Sequence, residues 1–337
     1  MDLVALWVQL GVAAAIIVGA SLQLTKSADV IAIKTGLGRS FAGIVLLATA
    51  TSLPELGTGV SSVVWVGEPD MAVGSAFGSS LFNLLIIGLL DVLWWNRYLL
   101  NHVGMSSLVV GTLGVGIISI ASIAVMLHGM TTSFGTWYLS PVSLMAVGLF
   151  FAAMFFIYNY EKKQDSNPSE YGGDDYANKR LSIGIIVYIS SAAIVVGGAI
   201  WLSVVGDQLA TELGWGASFM GTQFLAAVTS LPEVVTSIAA LRLNAPEMAV
   251  TNLLGSNLFN MGFVLFADEI AYTQGTIWAS VSPVHALAGV LAIAMTTVVL
   301  LAVVNRPRKE RPTFITLESV LLLGTYASAS FLVFHFG

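Results

Sequence analysis

Two acids in this chain lie where acids are costly. Glu55 ends the phrase Thr51-Ser52-Leu53-Pro54-Glu55, and Glu233 ends an identical one, Thr229-Ser230-Leu231-Pro232-Glu233. Each falls deep in an apolar stretch; Val45 and Leu47 precede Glu55, and Val60 and Val64 follow it. A carboxylate at that depth must be paired, protonated or bound to a cation. No basic residue stands inside either stretch, so a salt bridge is not available. Carboxylates, hydroxyls and backbone carbonyls are the oxygens a hard divalent cation prefers, and two lone acids facing each other would suit one such ion. A single glutamate of this kind also reads as a buried protonated acid hydrogen-bonded across a helix interface. Two at equivalent places favour the ion.

The neighbouring residues supply neutral oxygens. Thr51, Ser52, Thr229 and Ser230 carry hydroxyls, which in membrane helices usually bond their own backbone or a neighbouring helix. Beside the two acids they become candidate ligands. Pro54 and Pro232 lack an N–H and clash with the carbonyl four residues back, which frees the carbonyls of Ala50 and Val228. A broken helix around an ion site is one outcome, a simple kink the other. A second phrase follows each first one: Gly78-Ser79-Ser80-Leu81-Phe82-Asn83 and Gly255-Ser256-Asn257-Leu258-Phe259-Asn260. Ser79 and Asn83 are four apart, as are Ser256 and Asn260, so each pair shares one helix face. Gly74, Gly78 and Gly255 are small enough to let backbones approach closely.

The two phrases recur at offsets of 178 and 177 residues, the mark of an internal duplication. The elements that carry them are membrane helices. Of 337 residues, 56% are hydrophobic and 9% charged, against about 25% charged in soluble domains. With no cysteine, disulfides and thiolate metal sites are excluded, and the four histidines have no metal-ligand spacing. The net charge of −6 forms no basic patch, which excludes nucleic acid as a partner and leaves the lipid bilayer. A crossing helix needs about 20 apolar residues. The sequence offers ten, at roughly 3–24, 38–64, 70–93, 105–127, 138–160, 181–204, 215–241, 246–267, 279–304 and 313–335. The first lacks a basic leader and a clean cleavage site, and reads as a membrane helix rather than a signal peptide. Short turns ending in Pro69 and Pro246 make helix hairpins, with Asp70 and Glu247 at the positive helix ends.

The polar stretch 161–180 reads as a flexible linker between two five-helix halves, 1–160 and 181–337. All 13 basic residues fall in odd-numbered connections, while the even ones carry acids such as Glu68, Glu212, Asp268 and Glu269. The positive-inside rule then places the linker in the cytoplasm and both termini outside. Five is odd, so the second half enters from the opposite face. Inverted repeats with a site near the midplane are a signature of secondary transporters. The expected fold is an all-α polytopic membrane protein of ten helices in two inverted five-helix repeats.

The paired phrases resemble the two alpha repeats of the sodium/calcium exchanger family, here about 38–93 and 215–267. The resemblance spans the whole chain and implies a compact prokaryotic-type, ten-helix, plasma-membrane antiporter with Na⁺ and Ca²⁺ as substrates. It implies that Glu55 and Glu233 are paired Ca²⁺ ligands also touched by Na⁺, helped by Thr51 and Thr229. It places Ser52, Ser79, Ser230 and Ser256 at flanking Na⁺ sites, carbonyls at Ala48 and Ala226 one turn earlier, and Asn83 and Asn260 at the next positions. No cofactor beyond the transported ions is implied, and no enzyme. The chain departs from the family pattern at Ala50 and Val228, where glycine is common, at Phe77 and Ser80 beside Gly78 and Ser79, and at Asn260, where many relatives carry aspartate. The missing carboxylate argues against K⁺ co-transport. A linker this short leaves no large Ca²⁺-sensing region.

The mechanism this implies is alternating access, with helices two, three, seven and eight holding the site and helices one and six shifting. A H⁺-coupled Ca²⁺ antiporter on the same scaffold is the rival; the Thr-Ser pairs favour Na⁺, because a proton needs no oxygen cage. A channel would need a continuous wet path, and a scaffold would have no use for matched buried acids.

Overall fold

A computed structural model describes the backbone of residues 2–35, 41–94, 98–130, 139–164, 180–305 and 315–337; the side chains of 29, 32–33, 41–49, 129–130 and 160–164 lie outside that description. The described residues are helical, with no strand among them. Long apolar runs without turn residues make this outcome obligatory, because a helix satisfies every backbone group internally in lipid.

In chain order the α-helices are α1 (Leu3–Lys34), α2 (Phe41–Ser61), α3 (Pro69–Leu93), α4 (Met105–Met130), α5 (Pro141–Gln164) and α6 (Leu181–Leu213). There follow α7 (Ala217–Phe219), α8 (Ala226–Thr229), α9 (Leu231–Arg242), α10 (Pro246–Phe259), α11 (Leu265–Ala271), α12 (Val284–Asn305) and α13 (Leu317–Phe336). Three π-helical segments interrupt them: Ser62–Val66 after α2, Met220–Leu225 between α7 and α8, and Asn260–Val264 between α10 and α11. Such segments leave backbone carbonyls out of register and are frequent at functional sites.

Among the described residues, eight helices are long and apolar enough to cross a membrane, and nine if the bent pair Ala217–Thr229 plus Leu231–Arg242 is one span. The expected ten is therefore not reached by that count. The helix not counted is α2, the side chains of whose first turns lie outside the described residues.

Burial sorts the helices. The apolar windows of Pro69–Leu93 and Pro246–Ala271 are each 72% buried, against 17% for α1 and 22% for α13. The spans that carry the second phrases are thus the centre of the bundle. Large apolar side chains such as Phe155, Phe156, Ile186 and Phe331 face outward, as a lipid-facing surface requires.

Lipid tails are as apolar as leucine, so helices in a membrane are held by close packing rather than by hydrophobic exclusion. Small residues make that packing here. A Cβ added at Gly78 would overlap the backbone of Thr222, and one at Gly221 would overlap that of Met71. At Gly74 it would lie 3.0 Å from the Ser218 carbonyl. These three glycines let α3 cross the segment 220–225 backbone to backbone. Gly255 does not act this way: nothing lies within 4 Å of its added Cβ. The long helices α1 and α6 pack on each other and on α2, with Gly57 against Ala199 and Gly198 against Ile17.

Both hairpin turns form where the prolines place them. Pro69 and Pro246 open α3 and α10, with Asp70 and Glu247 in the first turns. Gly67 (φ 82°) and Asn244 (φ 56°) supply the left-handed residue each tight reversal needs. Asp70 does more than meet the helix dipole: its Oδ1 accepts from Ser282 N (2.7 Å), His285 Nε2 (2.9 Å) and Ser218 Oγ (3.2 Å). Those bonds tie the start of α3 to α12 and to the start of the second repeat.

The expected 161–180 linker begins later, since α5 continues to Gln164; 165–179 lie outside the described residues, as do Arg39, Arg97, Lys179, Arg306, Arg308, Lys309 and Arg311. A larger correction concerns Asp268 and Glu269. Sequence reading put them in an exterior connection, but both are 0% exposed, on α11. The span that contains the π segment Asn260–Val264 runs past the apolar stretch, to Ala271.

Candidate cation site

The two first phrases meet inside the bundle. Thr51, Ser52 and Glu55 lie on α2, and Thr229, Ser230 and Glu233 lie at the α8–α9 break; all six are at most 1% exposed. The identical pentapeptides adopt different backbones. Around Pro54 α2 stays helical from Phe41 to Ser61. Around Pro232 the helix breaks at Ser230 (φ −87°, ψ 5°) and bends by 41°. The expected broken helix is thus present in the second repeat and not in the first. The break sets Glu233 in the first turn of α9, where free N–H groups and the helix dipole favour a negative charge. Glu55 has no such helix end, since α2 runs on through it; side chains approach it instead.

The hydrogen bond among these comes from the other repeat. Ser230 Oγ donates to Glu55 Oε1 at 3.1 Å. Thr229 and Ser79 turn their hydroxyls toward the same carboxyl; Ser79 Oγ stops short of hydrogen-bond geometry, and Thr229 Oγ1 donates to the Ala226 carbonyl at 3.3 Å. Ser256 Oγ donates to Glu233 Oε1 at 3.3 Å. Glu55 and Glu233 lie within electrostatic reach of each other.

Each carboxyl keeps one oxygen unused. Glu55 Oε2 and Glu233 Oε2 have no hydrogen-bond partner, and neither do Ser52 Oγ, Ser79 Oγ, Asn83 Oδ1 and Asn260 Oδ1. A buried unsatisfied oxygen costs about 1–3 kcal/mol, more when charged. Six such atoms come from four helical segments, and together they offer two carboxyl and four neutral oxygens. Among the described residues no cluster of three or more His, Cys, Asp or Glu exists, so any ion here is held by two carboxylates and neutral oxygens. That donor chemistry fits a hard cation.

Of the remaining expected residues, Ser79 and Asn83 lie on α3, Ser256 on α10 and Asn260 at the start of the third π segment, all buried. Ala226 opens α8. Ala48 lies on α2, its side chain outside the described residues.

The profile of a family described as "Sodium/calcium exchanger protein" matches residues 5–166 and 183–335. The chain belongs to the sodium/calcium exchanger family. That is a family of transporters, and membership makes this chain a membrane antiporter of Ca²⁺ and a second cation. The "Putative antiporter CaxA" of Alkalimonas amylolytica is 25% identical over 239 residues, 68% of this chain and 69% of that protein. Two solved structures share the fold. The H⁺/Ca²⁺ exchanger CAX superposes with a TM-score of 0.69 at 12% identity, covering 98% of this chain and 86% of that one. The sodium-calcium exchanger NCX_Mj superposes with 0.60 at 17% identity, covering 97% and 98%.

Two features of this exchanger-family site escaped the sequence reading. Asn257 accepts from Asn83 Nδ2 at 2.9 Å and donates to the Ser80 carbonyl at 3.2 Å, clamping α10 to α3 beside the acids. Asn257 and Ser80 hold the same place in the two second phrases, and that mismatch in a duplicated motif was the available signal. Gln223, in the π segment before α8, accepts from Tyr326 Oη at 3.0 Å and so ties the site to α13; nothing in the repeats marked it.

Proposed function

We propose that this chain exchanges Na⁺ for Ca²⁺ by alternating access. The observation that carries the reading is the matched pair Glu55 and Glu233, each buried with one bonded and one unused carboxyl oxygen. Two carboxylates balance the charge of one divalent ion or of two monovalent ones. Na⁺ and Ca²⁺ therefore compete for the same acids, and that competition couples their gradients. Ca²⁺ sits between Glu55 and Glu233 with oxygens from Thr51 and Thr229; Na⁺ uses Ser52, Ser79, Ser230 and Ser256, with carbonyls at Ala48 and Ala226 and side chains at Asn83 and Asn260.

In this reading the chain crosses the plasma membrane ten times, as two inverted five-helix halves, 1–160 and 181–337, joined by the cytoplasmic linker 161–180. Both termini lie outside, because the basic residues fall on one side. α1 and α6 are the moving pair. At 32 and 33 residues each is about 50 Å long, well beyond the ~30 Å of hydrocarbon, so both must tilt. They pack on each other and on α2, and they reach the second half of the site through α8 and α9 for α1 and through the segment 220–225 for α6.

H⁺ is the rival coupling ion on the same scaffold, since two carboxyls can also take protons. The hydroxyls around Glu55 favour Na⁺. ⁴⁵Ca²⁺ uptake into proteoliposomes decides between them. Uptake driven by an outward Na⁺ gradient without a pH gradient supports the proposal. Uptake driven by a pH gradient alone overturns Na⁺ coupling.

A further inference from the structure

A third acid lies inside the bundle, and the site just described does not use it. Asp268, on α11, is fully buried, and neither of its carboxyl oxygens has a hydrogen-bond partner. Its neighbour Glu269 is anchored: Glu269 Oε1 accepts from Ser140 N at 3.0 Å and Thr276 Oγ1 at 2.7 Å. Asp268 has no such anchor and points the other way, onto α2. An added Cβ at Gly59 would overlap both Asp268 oxygens, so the carboxyl is seated on that glycine.

Gly59 is four residues past Glu55, one helical turn or about 6 Å along the same face of α2. Three residues further on that side is Ser62, fully buried, with an unpartnered hydroxyl. Ser62 also opens the π segment Ser62–Val66, and α11 follows the π segment Asn260–Val264. α11 packs on α2, on the segment 62–66 and on α3. Asp268 is therefore carried on a helix that packs against two π-helical stretches. A hydroxyl and one carboxylate, both buried and unpartnered, are oxygen donors of the kind a monovalent cation takes. A carboxylate left alone in such a place is costly, and Asn would fill the same space without charge.

We propose that Asp268 is a separate monovalent-cation site, seated on Gly59 one turn from Glu55 toward the 65–69 turn, and that it takes Na⁺ apart from the Glu55–Glu233 pair. This rests on the exchanger reading of that pair. A single negative charge suits a monovalent ion, and the position on the shared face of α2 makes the site a station between the acid pair and one end of the bundle.

Equilibrium binding of ²²Na⁺ and ⁴⁵Ca²⁺ to the purified full-length chain in detergent tests it. The saturating ²²Na⁺ count falls by one ion per chain in Asp268→Asn, while ⁴⁵Ca²⁺ affinity stays within about twofold of wild type. Gly59→Ala, which keeps the acid but crowds its oxygens, loses the same ion and covers the case in which Asp268→Asn does not fold. Equal ²²Na⁺ counts in wild type and both variants, with ⁴⁵Ca²⁺ binding intact, overturn the proposal; so does a change confined to proton uptake. No ⁴⁵Ca²⁺ binding by the wild-type chain overturns instead the exchanger reading beneath it.

Discussion

Ser230 reaches across the duplication to Glu55, its hydroxyl donating to Oε1 at 3.1 Å, whereas its counterpart Ser52 bonds nothing through its own hydroxyl. The duplicated phrase is therefore identical in sequence and unequal in bonding. Ser230→Ala strips a buried carboxyl of its partner, which costs about 1–3 kcal/mol. Ser52→Ala removes no bond within the protein. We expect Ser230→Ala to lower the melting temperature of the ion-free protein and Ser52→Ala to leave it unchanged, while both weaken Na⁺ binding. Thermal unfolding in chelator, beside Na⁺ titrations, checks this; equal ion-free melting points for the two variants would contradict the asymmetry.

The crossing of α3 with the segment 220–225 depends on absent side chains. Gly78→Ala and Gly221→Ala drive a methyl into the backbones of Thr222 and Met71, which cannot yield like a flexible side chain. Overpacking of this kind costs about 1–3 kcal/mol or more. Gly255→Ala meets nothing within 4 Å and replaces a helical glycine, a gain of roughly 0.5–1 kcal/mol. Detergent-solubilised yield and melting temperature should fall for the first two and hold or rise for the third.

Asn257 clamps the two repeats through Asn83 and the Ser80 carbonyl. Asn257→Ala leaves buried groups on α3 without their partner, at about 1–3 kcal/mol each. Asn257→Ser, which copies the residue of the first repeat, keeps one polar atom but is too short for the two-ended bridge. Both should lower stability, and Asn257→Ala should also slow Ca²⁺ transport by loosening Asn83. Transport at wild-type rates in a destabilised Asn257→Ala would confine the residue to packing.

The turn before α3 carries a pH signature. Partial burial, then the nearby charges of Asp207 and Asp70, raise the Glu68 carboxyl above its ordinary value. An acid whose pKa is raised by folding binds its proton more tightly in the folded state. Folding is therefore favoured in acid, and the benefit is lost as pH rises from the unfolded value through the folded one. Glu68→Gln should raise the melting temperature at neutral pH and make no difference in acid. A Glu68→Gln gain that persists unchanged at low pH would rule this origin out.

Much of the site was legible because duplication converts weak signals into strong ones. One intramembrane glutamate is ambiguous; two inside repeated phrases favour an ion, and the structure sets Glu55 and Glu233 within electrostatic reach of each other. The hairpin prolines Pro69 and Pro246 were equally plain, because proline at the start of a helix has a single physical reading. Other features were closed to the sequence. Pro54 and Pro232 sit in identical pentapeptides, so the break at Ser230 and its absence in α2 are imposed by surroundings rather than by local residues. Asp268 and Glu269 looked exterior because they follow the end of an apolar run, whereas the structure buries both on α11. Gly255 matched Gly78 by repeat position, but the second repeat brings no backbone against it.

The central claim is that Glu55 and Glu233 hold one divalent cation jointly. The most direct test is equilibrium ⁴⁵Ca²⁺ binding to the purified full-length chain and to Glu55→Gln and Glu233→Gln, each verified as folded. The account predicts one saturable Ca²⁺ per chain in the wild type, competed by Na⁺, and its loss in either single variant, because neither carboxylate alone balances the charge. Ca²⁺ binding that survives in both variants would place the ion elsewhere and contradict the account.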